Sequence, residues 1–215
     1  MPSTPPRVRF TISLAKEVAE HIDELIDGVK IRNRSHAIET LVSESLNMAH
    51  VQQAVIMAGG ENIHKKLPAL KAALQTLQNY GIFEVIMAVG FLGEQVKQAF
   101  GNGEQFGIRI NYVQSELGTG GSLLQLRHKL KRTFLVINVE RPVQVNLKNL
   151  LRFHREHQPF ATIATTSLRD LSGIYVFEPK VLSYIPEGFC MLEDSVFHEL
   201  TKQGKLLPYP ILTES

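Results

Sequence analysis

Polar and apolar positions alternate without a break from Arg7 to Leu14, the period of a strand with one buried face. Val8, Phe10, Ile12 and Leu14 form the apolar set, and Arg7, Arg9, Thr11 and Ser13 the polar one. The period then changes. Val18, Ile22, Leu25, Ile26 and Val29 fall on one face of a helix that should end near Asp27-Gly28. Asn33 suits a left-handed turn, and Ser35 suits the N-cap of a second helix carrying Ile38, Leu41, Val42 and Leu46. A lone strand is not stable, and two short helices cannot bury such faces in about 45 residues. The pattern therefore predicts strand pairing with a second copy, and hence an obligate dimer. The Pro/Ser/Thr-rich stretch Met1 to Pro6 reads as an arm ahead of this module.

From residue 51 the grammar is different. Short apolar runs at Val55–Ala58, Glu84–Val89, Ile108–Val113, Phe134–Ile137, Thr162–Thr166 and Gly173–Phe177 alternate with helical spacings at Leu67–Tyr80 and Glu94–Phe100. Such alternation predicts an α/β fold with a mostly parallel sheet covered on both faces. Two domains follow, residues 1–50 and residues 51–215.

Composition adds limits. The chain has 215 residues, is 44% hydrophobic and 20% charged, and carries a formal charge of +2. That balance neither requires nor excludes a polyanionic partner. The single cysteine, Cys190, cannot form an internal disulfide, which fits a reducing compartment. No leader pattern and no apolar run of about 20 residues is present. The expected location is the cytoplasm, with no membrane partner.

The first module resembles the ribbon-helix-helix DNA-binding family through Arg9-Phe10-Thr11-Ile12-Ser13-Leu14 and Asn33-Arg34-Ser35-His36-Ala37-Ile38. The resemblance implies a dimer whose paired ribbon enters the major groove of double-stranded DNA. Arg7, Arg9, Thr11 and Ser13 would then face the DNA, while Arg34 and Ser35 would clamp a phosphate. Ala15 departs from the family's usual capping residue. Residues 1–48 hold six Lys/Arg and seven Asp/Glu, so the module is not basic as a whole.

The second domain resembles sugar-nucleotide nucleotidyltransferases. The matching stretches are Ala54-Val55-Ile56-Met57-Ala58-Gly59-Gly60, Tyr80 to Val85, Val89 to Val96, Glu116 to Leu123, Phe134 to Asn138, Gly173 to Pro179 and Tyr184 to Gly188. The resemblance implies a Rossmann-like sheet and nucleotide contacts from Ala58, Gly59, Gly60, Gly118, Thr119, Gly120 and Gly121, with Lys65 and Lys66 near the phosphates. Family enzymes also use an arginine after the glycines, a Lys-Pro pair and aspartates that hold magnesium. Here the arginine is missing, Leu67-Pro68 stands for Lys-Pro, and Val139-Glu140 stands for Gly-Asp. The segment Ser167 to Ser172 is short, and the family's second aspartate tract has no counterpart after Pro210. These departures predict a domain with no catalytic residue, no metal site and no cofactor.

The expected function is thus a homodimeric or larger transcriptional regulator. Its inactive transferase-like domain would sense a nucleotide-type effector, namely a nucleoside triphosphate, a sugar nucleotide or a cyclic dinucleotide. The alternatives are an active nucleotidyltransferase dimerised by its first module, with Glu140, Lys65 and Lys66 carrying the chemistry, or a ligand-free interaction scaffold. His154 and His157 read as surface histidines, Cys190 as a buried structural thiol, and Glu193-Asp194-Ser195 as a helix start.

Overall fold

The computed structural model describes residues 11–28, 31–48, 51–60, 63–139, 145–167 and 170–211. Side chains are described over the same spans except 43–48, 63–65, 167 and 170–172. The chain divides into two compact units, Met1–Asn47 and Met48–Ser215.

The first unit holds α1 (Lys16–Glu24) and α2 (Arg34–Met48). Ala15 precedes α1 and gives it no side-chain cap. Asn33, not Ser35, caps α2: its Oδ1 accepts the His36 amide at 2.9 Å. A short side-chain acceptor one residue before the first helical position satisfies an otherwise orphan donor. Ser35 lies two residues too late for that role. Asn33 also avoids the left-handed conformation expected of it, since Gln158 is the sole non-glycine residue with positive φ among those described.

Residues 11–14 adopt no strand, and Thr11, Ile12, Ser13 and Leu14 are exposed. No strand among the described residues pairs with them. The rest of the predicted strand, with Arg7 and Arg9, lies outside the described residues. The helix faces expected to be buried are only partly so. Ile22 and Ala37 are covered, whereas Ile12, Leu14, Val18, Leu25, Leu41 and Val42 remain 40–49% exposed.

The second unit is built on a seven-stranded mixed sheet. Its strands are β1 (Gln53–Ala58), β2 (Glu84–Val89), β3 (Arg109–Gln114), β4 (Phe134–Asn138), β5 (Ala161–Ser167), β6 (Asp170–Phe177) and β7 (Leu206–Pro210), in the order β3-β2-β1-β4-β6-β5-β7. β1 pairs in parallel with β2 and β4, and β2 in parallel with β3. β6 runs antiparallel to β4 and β5, and β7 is parallel to β5. The predicted α/β class with a mostly parallel sheet is what forms.

Each strand sends alternate side chains to two separate cores. Ala54, Ile56, Val85, Met87, Leu135 and Ile137 pack with Leu70, Leu74 and Leu77 of α3 (Ile63–Asn79), Val96 and Phe100 of α4 (Gly93–Phe100), and Leu150 of α6 (Leu147–His157). Val55, Ile86, Phe134, Val136, Tyr175 and Phe177 pack on the other face with Leu123 of α5 (Gly118–Gln125) and Leu200 of α7 (Phe197–Lys202). Burial on both faces explains the near-continuous apolar runs in the sequence.

The helix α6 (Leu147–His157) is fixed to this sheet through His154. This histidine is buried, not on the surface as its sequence context suggests. Its Nδ1 is hydrogen-bonded to Thr162 Oγ1 at 2.7 Å, and its Nε2 lies 3.3 Å from Glu178 Oε1. Thr133 Oγ1 donates to the same carboxylate at 2.6 Å. His154 first, and then Thr133, hold the Glu178 carboxyl below the usual glutamate range against the opposing effect of burial.

Two outcomes follow from this latch. His154→Ala should lower unfolding free energy by about 1–3 kcal/mol in urea titrations, because Thr162 and Glu178 lose a buried partner. The Glu178 contribution should be complete above the ordinary glutamate pKa of about 4.3 and be lost as pH falls through the depressed native value. The stability gap between the wild type and Glu178→Gln should therefore close in acid.

Candidate functional site

The strand order decides where a site can form. From β1 the chain steps outward to β2 and β3, then returns to place β4 on the other side of β1. The connections leaving β1 and β4 therefore part at the carboxyl ends of these strands. Such a switch point leaves a crevice. Met57 of β1 is in register with Asn138 of β4, and both line a cavity of about 750 Å3. Gly59, Gly60, Ala88, Gly90, Phe91 and Leu92 form one part of the lining. Ser115, Glu116, Gly118, Thr119, Ser122, Phe189 and Met191 complete it.

Of the nucleotide contacts expected from the sequence, Gly59, Gly60, Gly118 and Thr119 lie in this lining. Ala58 is buried in the strand end beneath it. Lys66, from the first turns of α3, donates through Nζ to the Gly59 carbonyl at 2.7 Å. This sets an ammonium beside the glycine turn. The Lys65 side chain, Glu140 and Arg141 lie outside the described residues.

Gly120 and Gly121 are turned away from the cavity into a different task. The Gly120 and Gly121 amides both donate to the Cys190 carbonyl, at 2.8 and 3.3 Å, and the Cys190 amide donates to the Leu117 carbonyl at 2.9 Å. Two of the amides at this helix end are thus already taken by the 188–191 segment. A Cβ at Gly121 would stand 2.5 Å from the Gly188 carbonyl oxygen. At Gly118, φ is +72° and a Cβ would stand 2.6 Å from the Cys190 carbonyl oxygen. Both glycines are needed so that α5 can touch the 188–191 segment.

Side chains strengthen this seam. Thr119 Oγ1 accepts the Leu192 amide at 3.0 Å and donates to Glu193 Oε2 at 3.3 Å. Tyr175 Oη donates to Glu193 Oε1 at 3.1 Å. Glu193 sits in a π-helical turn, Leu192–Val196, rather than in the first turn of an α-helix. The wide turn is followed directly by α7. Ser122 Oγ donates to the Gly118 carbonyl at 2.6 Å and lies 2.9 Å from Ser115 Oγ. Cys190 is buried, its Sγ 3.3 Å from Ser195 Oγ.

Sequence reasoning missed Phe91, Phe189, Ser115, Glu116, Ser122, Asn138 and Met191 as cavity residues. Phe91 and Asn138 were within reach, because they stand at the ends of correctly placed parallel strands. Phe189 had no such signal. Among the described residues no three His, Cys, Asp or Glu side chains group closely enough to hold a metal ion.

Of the residues expected to face DNA, Thr11 and Ser13 precede α1, Arg34 and Ser35 belong to the first turn of α2, and Arg7 and Arg9 lie outside the described residues. Arg34 forms a bidentate ion pair with Asp23 through Nε and Nη2. The Arg34 hydrogen bond holds the Asp23 carboxyl below its usual range. Ser35 is exposed in the first turn of α2.

No family model matches the chain. The UTP–glucose-1-phosphate uridylyltransferase of Synechocystis sp. is 24% identical over 169 residues, covering 56% of this chain and 44% of that protein. The mannose-1-phosphate guanylyltransferase of Mycobacterium tuberculosis is 26% identical over 204 residues, covering 72% of this chain and 57% of that protein. The chain spans about half the length of these curated relatives. Among solved structures, HddC from Yersinia pseudotuberculosis complexed with GMP-PN superposes with a TM-score of 0.60 at 14% identity, covering 75% of this chain and 91% of that one. The second unit is a sugar-nucleotide nucleotidyltransferase-like domain.

These likenesses correct the functional expectation. A regulator with a non-catalytic sensor domain was expected, whereas the relatives are uridylyl- and guanylyltransferases by name. The nucleotidyltransferase-like domain carries Lys66 back over the glycine turn from α3, although its loop has no arginine. No helix among the described residues is long and apolar enough to cross a membrane.

Gly118→Ala should destabilise the protein by more than about 1 kcal/mol, since it meets both a left-handed φ and a backbone carbonyl. Urea unfolding of the variant beside Gly101→Ala measures the steric share. A Cβ at Gly101 meets nothing within 4 Å although φ is +54°.

Proposed function

We propose that this protein is a nucleotidyltransferase that joins a nucleoside triphosphate to a sugar 1-phosphate, with its first unit holding two copies together. The observation that carries the reading is the cavity at the β1/β4 switch point, lined by Gly59 and Gly60 and overlooked by Lys66. A phosphate oxygen of the sugar phosphate attacks the α-phosphorus of the triphosphate. The bond to the β-phosphate oxygen breaks, and pyrophosphate leaves. The protein's part in such a reaction is to hold two polyanions in line and to offset their charge. Backbone at Gly59 and Gly60 allows close approach of phosphate, and the Lys66 ammonium supplies positive charge beside it. Thr119, Ser122 and Asn138 make the wall of the cavity polar, and the two hydroxyls, whose protons go to Glu193 and to the Gly118 carbonyl, can still accept from a sugar or ribose hydroxyl.

The reading is tested by pyrophosphate release from a matrix of nucleoside triphosphates and sugar 1-phosphates. Release that requires both substrates is expected for at least one pair, and silence across the matrix overturns it. Lys66→Ala should lower kcat/KM at least tenfold with melting temperature unchanged.

The first unit supports self-association. Six large apolar side chains, from Ile12 to Val42, are 40–49% exposed within one short segment, more than a small monomeric unit ordinarily leaves in water. A ribbon-helix-helix-like pairing of two copies would cover them. Sedimentation equilibrium should show a dimer, and Leu14→Asp with Leu25→Asp should shift it to monomer. A cytoplasmic location accompanies this reading, in keeping with the single buried thiol.

A further inference from the structure

Two phenylalanine rings stand almost fully in solvent at the cavity. Phe91 is 85% exposed and Phe189 70% exposed, and both belong to its lining. They come from separate segments. Phe91 follows Gly90 at the end of β2, and Phe189 lies between Gly188 and the buried Cys190. An isolated apolar side chain on a surface needs no explanation. Two of the largest, gathered in one concave site beside four glycines and the polar side chains of Ser115, Glu116, Thr119, Ser122 and Asn138, do.

Neither ring hangs from slack backbone. Next to Phe91, the Gly93 amide donates to the Gly90 carbonyl at 3.0 Å, and Gln95 and Val96 donate to the Leu92 carbonyl. Beside Phe189, the Cys190 amide is held by the Leu117 carbonyl, and the Gly188 carbonyl abuts Gly121. The backbone at each ring is therefore anchored before any ligand arrives. A ring held ready in this way gives up little freedom on binding, so more of its contact energy appears as affinity.

We infer that Phe91 and Phe189 are the base-recognition platform of the cavity, stacking the nucleobase of the bound nucleoside triphosphate. The inference rests on the nucleotide-binding reading above and deepens it. A flat π-face accepts any base. The rings therefore supply affinity, and selection among bases falls to polar groups near them, of which the Glu116 carboxylate and Ser115 hydroxyl lie in the same lining. A carboxylate accepts hydrogen bonds and donates none when ionised. Glu116 can thus accept from the amino or imino group of a stacked base.

The chain contains no tryptophan, so Phe91→Trp and Phe189→Trp each carry a single indole. Titration with UTP, CTP, GTP and ATP should quench the fluorescence of both variants. Inorganic tripolyphosphate should compete with the nucleotide yet leave the free indole unquenched. Phe91→Ala and Phe189→Ala should each raise the calorimetric Kd about tenfold without moving the melting temperature. If the wild type binds nucleotide while both indoles stay silent and both alanine variants keep its Kd, the platform is overturned and the nucleotide site stands. A response at one ring alone overturns the two-ring platform. If the wild type binds no nucleoside triphosphate in calorimetry, the platform and the nucleotide-binding reading fall together.

Discussion

The return of the chain to β1 is the constraint on which the second unit depends. Because β1 is paired on both sides in parallel, with β2 and with β4, its two neighbours must be reached by helices that pack on the sheet. The connections leaving its carboxyl end diverge, and no side chain of the sheet can fill the wedge between them. Everything placed there is placed by this divergence: the glycine turn after β1, the Gly90–Phe91 corner after β2 and Asn138 at the tip of β4. The cavity belongs to the topology before it belongs to any residue.

A second element completes the cavity from outside the parallel half. The 188–191 segment is bound to the start of α5 by backbone hydrogen bonds in both directions, from Cys190 to Leu117 and from Gly120 to Cys190. Side chains at Thr119 and Glu193 extend the seam to Tyr175 on β6. The far wall is therefore tied to the antiparallel half of the sheet, while the near wall is tied to β1 and β2. A glycine-rich helix start serves here as a packing surface, with carbonyl oxygens where side chains would otherwise be.

The parallel core was legible because its signal is local. Ala54–Ala58, Glu84–Val89 and Phe134–Asn138 are apolar on both faces and bounded by turn residues, and they form strands within one or two residues of the reading. The glycines of residues 118–121 were legible as important, but not for what. Their partners, Cys190 and Gly188, are about seventy residues away and leave no local trace. His154 looked like a surface residue because its neighbours Arg152, Arg155 and Glu156 are charged, yet one side of α6 faces Thr162. In the first unit, Arg34 looked available for an external anion because Asp23 is eleven residues away and on another helix. In each case the missing information was a contact between separate elements.

The β1–β4 pairing joins Met57 to Asn138 across about eighty residues of chain. As the polypeptide leaves the ribosome, β1, β2 and β3 can pair with one another while the open side of β1 waits for a strand not yet made. For that interval β1 presents an unpaired, apolar edge, the kind that recruits foreign strands. Closing so long a loop is also slow compared with helix formation. The cavity is thus among the last features to acquire its shape during synthesis, and the half-built sheet is the species most in need of chaperone protection.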